Sequence, residues 1–196
     1  MSATVCCGRS RWRSGKIPIR SPSTQPRRRA SCASSTTRTT PTPVDCEGIG
    51  AHTDYECFTL LRPTAPGLEV LNGAGEWIDV PPLPGTFVVN IGDMLELWTN
   101  GAFVATSHRV RKVSEERYSF PLFFNVDYHT EVKPLPQFAS REGERRPALR
   151  AGEDLFAQTG QTFGYLRHRV ESGSLTLPDG SLETGQFGQQ ALQKRS

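Results

Sequence analysis

His52, Thr53 and Asp54 are consecutive, and His108 follows 54 residues after Asp54. In extended backbone, residues i and i+2 point to one face, so His52 and Asp54 can converge on one point. A histidine from a distant strand would close one face of an octahedron around that point. Two imidazoles and a carboxylate leave three adjacent positions open, which suits non-haem Fe(II) and dioxygen chemistry. Zinc prefers a tetrahedral site with sulfur or nitrogen donors, and neither Cys46 nor Cys57 is spaced to supply one. Taken alone, H-x-D also fits a turn dipeptide plus an unrelated histidine. A second pattern lies nine residues after His108. Arg117 and Ser119 flank Tyr118 and share a strand face. A guanidinium can grip a carboxylate through two parallel hydrogen bonds, and the hydroxyl can add a third. The competing reading of Arg117 is a surface arginine paired with Glu115 or Glu116. A metal-binding face beside a carboxylate clamp describes a site for a chelating 2-oxo acid.

The elements that must position these residues are short and β-rich. Apolar and β-branched runs occur at Cys57–Leu61, Leu68–Leu71, Trp77–Val80, Phe87–Ile91, Met94–Trp98, Phe103–Ser107, His108–Val113 and Tyr118–Val126. Turn signals separate them, among them Asn72-Gly73, Gly92-Asp93 and Asn100-Gly101. This alternation predicts an all-β sandwich or barrel rather than βαβ units. Over Arg150–Ser172, Leu155, Phe156, Thr159, Phe163, Leu166 and Val170 recur at helical spacing, which predicts one amphipathic helix packed outside the sheet. The tail after Gly173 is polar and expected to fray. Phe123 and Phe124 are candidates for core packing or for the wall of a substrate pocket. Cys57 suits a small core position, Glu56 the solvated mouth of the barrel, and Gly92 a turn that needs permissive backbone. His129 and His168 have no partner at ligand spacing and are expected to be structural or solvent-facing.

Charge divides the chain. Nine of the 23 basic residues and none of the 20 acidic ones fall in 1–44, so an arm of +9 joins a body of −6. The arm also holds fifteen Ser or Thr and few side chains that could fill a core, a composition that predicts disorder. Three readings fit it: an organelle transit peptide, an electrostatic patch centred on Arg27–Arg29, or a misread start of the coding region. The body is acidic, so no nucleic-acid partner is expected, and no apolar run approaches the ~20 residues of a membrane helix. Five cysteines without a C-x-x-C pair predict free thiols in a reducing, cytoplasmic setting. The expected organisation is a disordered arm over 1–44, one β-domain over 45–139, and a charged linker, helix and polar tail over 140–196.

The stretch 48–138 resembles the catalytic half of the isopenicillin N synthase-like 2-oxoglutarate/Fe(II) dioxygenases. The resemblance rests on Ala51-His52-Thr53-Asp54-Tyr55, Thr59-Leu60-Leu61, Gly67-Leu68-Glu69-Val70, Trp77-Ile78-Asp79-Val80 and Pro84-Gly85. It continues through Val89-Asn90-Ile91-Gly92-Asp93, Trp98-Thr99-Asn100-Gly101, Ser107-His108-Arg109-Val110 and Arg117-Tyr118-Ser119. It implies a double-stranded β-helix, or jelly roll, incomplete at its N-terminal side. It further implies Fe(II) on His52, Asp54 and His108, 2-oxoglutarate held by Arg117 and Ser119, and dioxygen as oxidant. The implied reaction oxidises a small organic substrate, by default through hydroxylation, and releases succinate and CO2. The family's N-terminal helical region and its early strand tyrosine have no counterpart here, since Tyr55 is the first tyrosine. The alternative expectation is therefore a metal-binding but catalytically silent jelly-roll fragment.

Overall fold

The computed structural model describes residues 29–32, 35–37, 47–111, 113, 116–138, 147–181 and 187–188. Its strands form two antiparallel sheets. In the first, β4 (Phe58–Pro63) lies between β7 (Val88–Ile91) and β9 (Arg117–Asn125), and β9 pairs on its other edge with β1 (Arg29–Cys32) and β2 (Ser35–Thr37). The second runs in the order β3 (Glu47–His52), β8 (His108–Arg111), β5 (Leu68–Leu71), β6 (Trp77–Asp79). A single core cluster takes Leu61 and Val88 from the first sheet and Leu68, Val70 and Val110 from the second, with Val80 beside β6. The sheets therefore pack face to face, as the alternation of buried and exposed positions along β4 requires. This is the mainly β jelly roll expected from the sequence. Burying each such aliphatic side chain contributes about 1.5–3 kcal/mol.

Four expectations need correction. Arg29–Cys32 and Ser35–Thr37, assigned to a disordered arm, are strands, and they cover the edge of β9 that a missing strand would have left open. The remainder of 1–44 lies outside the described residues. Met94–Trp98 is not a strand but part of a helix, α1 (Asp93–Trp98). None of its residues is β-branched, and its buried positions Asp93, Met94, Glu96 and Leu97 follow a helical period, not a period of two. Phe103–Ser107 forms no regular strand. It crosses between the sheets, its Thr106 N–H bonding Ile91 of β7 at 2.9 Å and its Ser107 carbonyl accepting from Leu71 of β5 at 2.8 Å. That crossing delivers His108 to the start of β8.

The fourth correction concerns the C-terminal part. The predicted single helix is two, α2 (Ala151–Thr162) and α3 (Gly164–Glu171), broken at Phe163, whose backbone is extended. Before the break, the Thr162 hydroxyl donates to the Gln158 carbonyl, a bond that competes with the helix ladder. The buried face of α2 is the small one, Ala151, Gly152, Asp154, Ala157 and Gly160, while Phe156 and Phe163 are exposed. At Gly152 nothing larger fits, because a Cβ there would overlap the Tyr128 ring in the loop between β9 and β10. Leu149 and Arg150, expected in a linker, form β11 against β10 (Glu131–Val132). The tail does not wholly fray either, since Phe187 is buried in a second core cluster with Cys57, Met94, Leu97, Ala105, Val132, Leu149 and Ala151.

Cys57 is the small core residue expected, and it is a free thiol. Burial pushes that thiol up to about 12, with the Glu56 carboxylate adding to the effect. Thiolate is the reactive form. Cys57 should accordingly resist iodoacetamide in the folded chain at neutral pH and label fully in denaturant, as read by peptide mass spectrometry.

Candidate metal centre

Two strand ends carry the histidines. His52 closes β3, His108 opens β8, and the two are direct cross-strand partners. Their rings sit 4.3 Å apart between centroids and are tilted by 51°. Each Nδ1 faces a carbonyl two residues back along its own strand, Gly50 for His52 and Thr106 for His108, both at 2.8 Å. A carbonyl can only accept, so both Nδ1 atoms are donors, and a ring neutral in that tautomer presents its Nε2 lone pair to the space it shares with the other. Asp54 completes the group, with Oδ1 3.9 Å from His52 Nε2 and 3.7 Å from His108 Nε2. The ligand-type atoms of all three residues lie within 4.8 Å of one another. Asp54 Oδ2 is buried and has no hydrogen-bond partner among the described residues. Burial holds His108 below the usual histidine range against the opposing pull of Asp54, so it remains neutral and available as a donor. The side chains of Asp54 and His108 are 8% and 7% exposed but that of His52 is 40%, so the cluster opens on the His52 side.

The first turn of α1 positions Asp54. The Asp93 N–H donates to the Asp54 carbonyl at 2.9 Å, Gly92 N–H to Cys57 at 2.9 Å and Met94 N–H to Glu56 at 3.3 Å. Gly92 has extended backbone, so conformational freedom is not what the position needs. It needs space, because a Cβ there would overlap the Glu56 carbonyl oxygen. Backbone cannot yield as a flexible side chain can. Gly92→Ala should therefore destabilise the fold by about 2 kcal/mol or more in denaturant melts.

Sequence reasoning missed Asp93 as a supporting residue. Its buried carboxyl is hydrogen-bonded to Thr53, the residue between His52 and Asp54. Burial keeps it well above the usual carboxylate range, with Glu96, Asp154 and Asp54 adding repulsion. The available signal was an acid at the start of a helical period. Glu56 is half-buried rather than solvated, and burial pushes its carboxyl up to about 7.

Arg117 begins β9 and is completely buried. Its Nη1 donates to Ser119 Oγ at 2.6 Å and its Nε to the Ala65 carbonyl at 3.2 Å, while Nη2 has no partner among the described residues. Burial alone lowers its pKa. A buried guanidinium with an open N–H edge is costly unless an anion meets it. Phe124 stacks on Phe58 at 4.6 Å, consistent with core packing. Phe123, the cross-strand partner of Thr59, shares that residue's sheet face. His129 and His168 are exposed, and neither joins the cluster.

A jelly roll that brings two histidines and an aspartate to one opening defines a non-haem metalloprotein architecture. The comparisons specify it further. The 2OG-Fe(II) oxygenase superfamily profile matches residues 31–126, beginning inside β1. The chain is 44% identical over 113 residues to a homoarginine-6-hydroxylase, 2-ODD-C23, of Glycine max, covering 55% of this chain and 34% of that protein. It is 45% identical over 145 residues to the 2-oxoglutarate-Fe(II) type oxidoreductase hxnY of Emericella nidulans, covering 66% and 42%. The crystal structure of JOX2 in complex with 2OG, Fe and JA superposes with a TM-score of 0.59 at 30% identity, covering 65% of this chain and 39% of that one. Residues 31–126 thus match the 2OG-Fe(II) oxygenase superfamily that the sequence resemblance implied, and the chain spans well under half the length of these relatives.

Proposed function

We propose that this protein is a 2-oxoglutarate- and Fe(II)-dependent oxygenase that oxidises, by default hydroxylating, a small organic substrate with release of succinate and CO2. The observation that carries this reading is a pair of complementary unmet demands. At one end, two imidazoles whose Nδ1 atoms are engaged turn their Nε2 atoms toward a carboxylate with one oxygen unpartnered among the described residues. At the other, a fully buried guanidinium has one nitrogen unpaired beside a serine hydroxyl. The N2O donor set fits Fe(II) with positions to spare. His52, Asp54 and His108 would hold the ion, and Arg117 and Ser119 the distal carboxylate of 2-oxoglutarate. Iron, when bound, supplies dioxygen activation coupled to decarboxylation of the 2-oxo acid. The protein's own part is to orient the two groups and to keep His108 and Asp54 out of water. The hydroxylase among the relatives, and the 2OG and Fe bound in a structural neighbour, support the assignment. The cysteine spacing suits a cytoplasmic location.

Anaerobic calorimetry with Fe(II), then with 2-oxoglutarate on the loaded protein, tests this. A succinate-release assay over small-molecule substrates, homoarginine included, completes it. One Fe(II) per chain and 2-oxoglutarate-dependent succinate formation are expected. Bound Fe(II) with no binding or consumption of 2-oxoglutarate would overturn the enzyme reading in favour of a silent metal-binding fragment.

A further inference from the structure

Phe187 and Gly188 lie about 80 residues after His108, yet Gly188 packs against the segments that carry the candidate ligands. Gly188 sits so close to the two ligand-bearing segments that a Cβ on it would lie 2.6 Å from Thr53 Cγ2 and 2.7 Å from Ser107 Oγ. Thr53 separates His52 from Asp54, and Ser107 precedes His108. The contact therefore touches the segments carrying all three candidate ligands. Gly188 has φ +79°, a left-handed conformation that glycine adopts without strain. Two further contacts anchor the pair. Phe187 is buried among Cys57, Met94, Leu97 and Ala105. The Gly188 N–H donates to Glu96 Oε2 at 3.0 Å, the same oxygen that accepts the Ala105 N–H at 2.7 Å. Glu96 is itself 1% exposed. One buried carboxylate thus ties the C-terminal pair to the crossing segment whose Thr106 carbonyl sets the tautomer of His108.

We propose that Phe187 and Gly188 are positioning residues of the metal centre, a wedge that holds the His52–Asp54 turn and the Ser107–His108 strand start at ligand separation, with Glu96 as its anchor. The inference rests on the metal-site reading above. Partners one step removed from metal ligands orient them, and losing such a partner typically weakens metal binding by 10–100-fold.

Mn(II) titration of the full chain, followed by electron paramagnetic resonance of the free ion, tests the proposal without requiring turnover. Phe187→Ala and Gly188→Ala should each weaken Mn(II) binding by about tenfold or more. Phe187→Leu should recover most of the affinity. Val80→Ala, which trims the other core cluster, measures what destabilisation alone does and should leave the Mn(II) affinity unchanged. If Gly188→Ala does not fold, Glu96→Gln carries the same expectation, since it weakens both N–H bonds at constant volume. Wild-type affinity in the wedge variants, or an equal loss in Val80→Ala, overturns the wedge while leaving the metal site standing. No Mn(II) binding by the wild-type chain overturns both.

Discussion

Asp54→Asn is expected to abolish Fe(II) binding while leaving the metal-free protein at least as stable as the wild type. The carboxylate is the sole anionic donor among the three clustered residues, and its Oδ1 is the atom both Nε2 nitrogens face. An amide of the same shape keeps the packing but forfeits the charge that the metal requires. The loss should exceed the 10–100-fold typical of residues that merely orient ligands, so a drop in affinity of at least ~100-fold is expected by calorimetry. Stability should move the other way or not at all. In the metal-free protein a buried carboxylate oxygen without a hydrogen-bond partner is a cost to the fold, so an amide of the same shape need not weaken it. A melting temperature that falls together with metal affinity would show instead that Asp54 serves the fold.

Arg117→Met should separate co-substrate binding from metal binding. Methionine approximates the length of the buried stem and removes the cation. Two charge-assisted hydrogen bonds to a carboxylate contribute about 3 kcal/mol or more together, equivalent to at least ~100-fold in affinity. The KM for 2-oxoglutarate, or its Kd on the Fe(II)-loaded protein, should rise by that factor while Fe(II) affinity stays near the wild-type value. Arg117→Lys restores charge but not the planar fork, and should fall between the two. Replacing a fully buried, incompletely satisfied guanidinium with an apolar side chain should leave thermal stability unchanged or improved. Unaltered 2-oxoglutarate affinity in Arg117→Met would move the carboxylate clamp elsewhere.

The fold was legible where local pattern and tertiary role coincide. Leu68–Leu71 is a strand over the residues its composition marks, and β4, β6, β7, β8 and β9 deviate from the expected runs only at their ends. The pattern misled where a short apolar run carried no decisive period. Met94–Trp98 holds no β-branched residue, and its burial follows the helical repeat that five residues are too few to advertise. On α2 the error lay in which face is buried. Phe156 and Leu155 mark the larger apolar stripe, yet the helix buries its small face, where Gly152 lies against the Tyr128 ring and Gly160 against Leu177. Residues 29–32 and 35–37 looked uncommitted because strand pairing is made by backbone atoms, to which Ser, Thr and Arg contribute as well as Val or Ile.

By itself, the sequence determined which chemistry was available: two histidines, an aspartate, an arginine and a serine at spacings that extended strands can align. Residue type and the two-residue repeat of a strand are local properties, and nothing distant is needed to read them. Only the tertiary structure decided that His52 and His108 are cross-strand partners with both Nε2 atoms turned toward Asp54, that Arg117 is wholly buried, and that Gly188 packs against Thr53 and Ser107. Each of these depends on register and on contacts between segments tens of residues apart, whose energies are settled jointly by the packed sheets rather than by any stretch of chain alone.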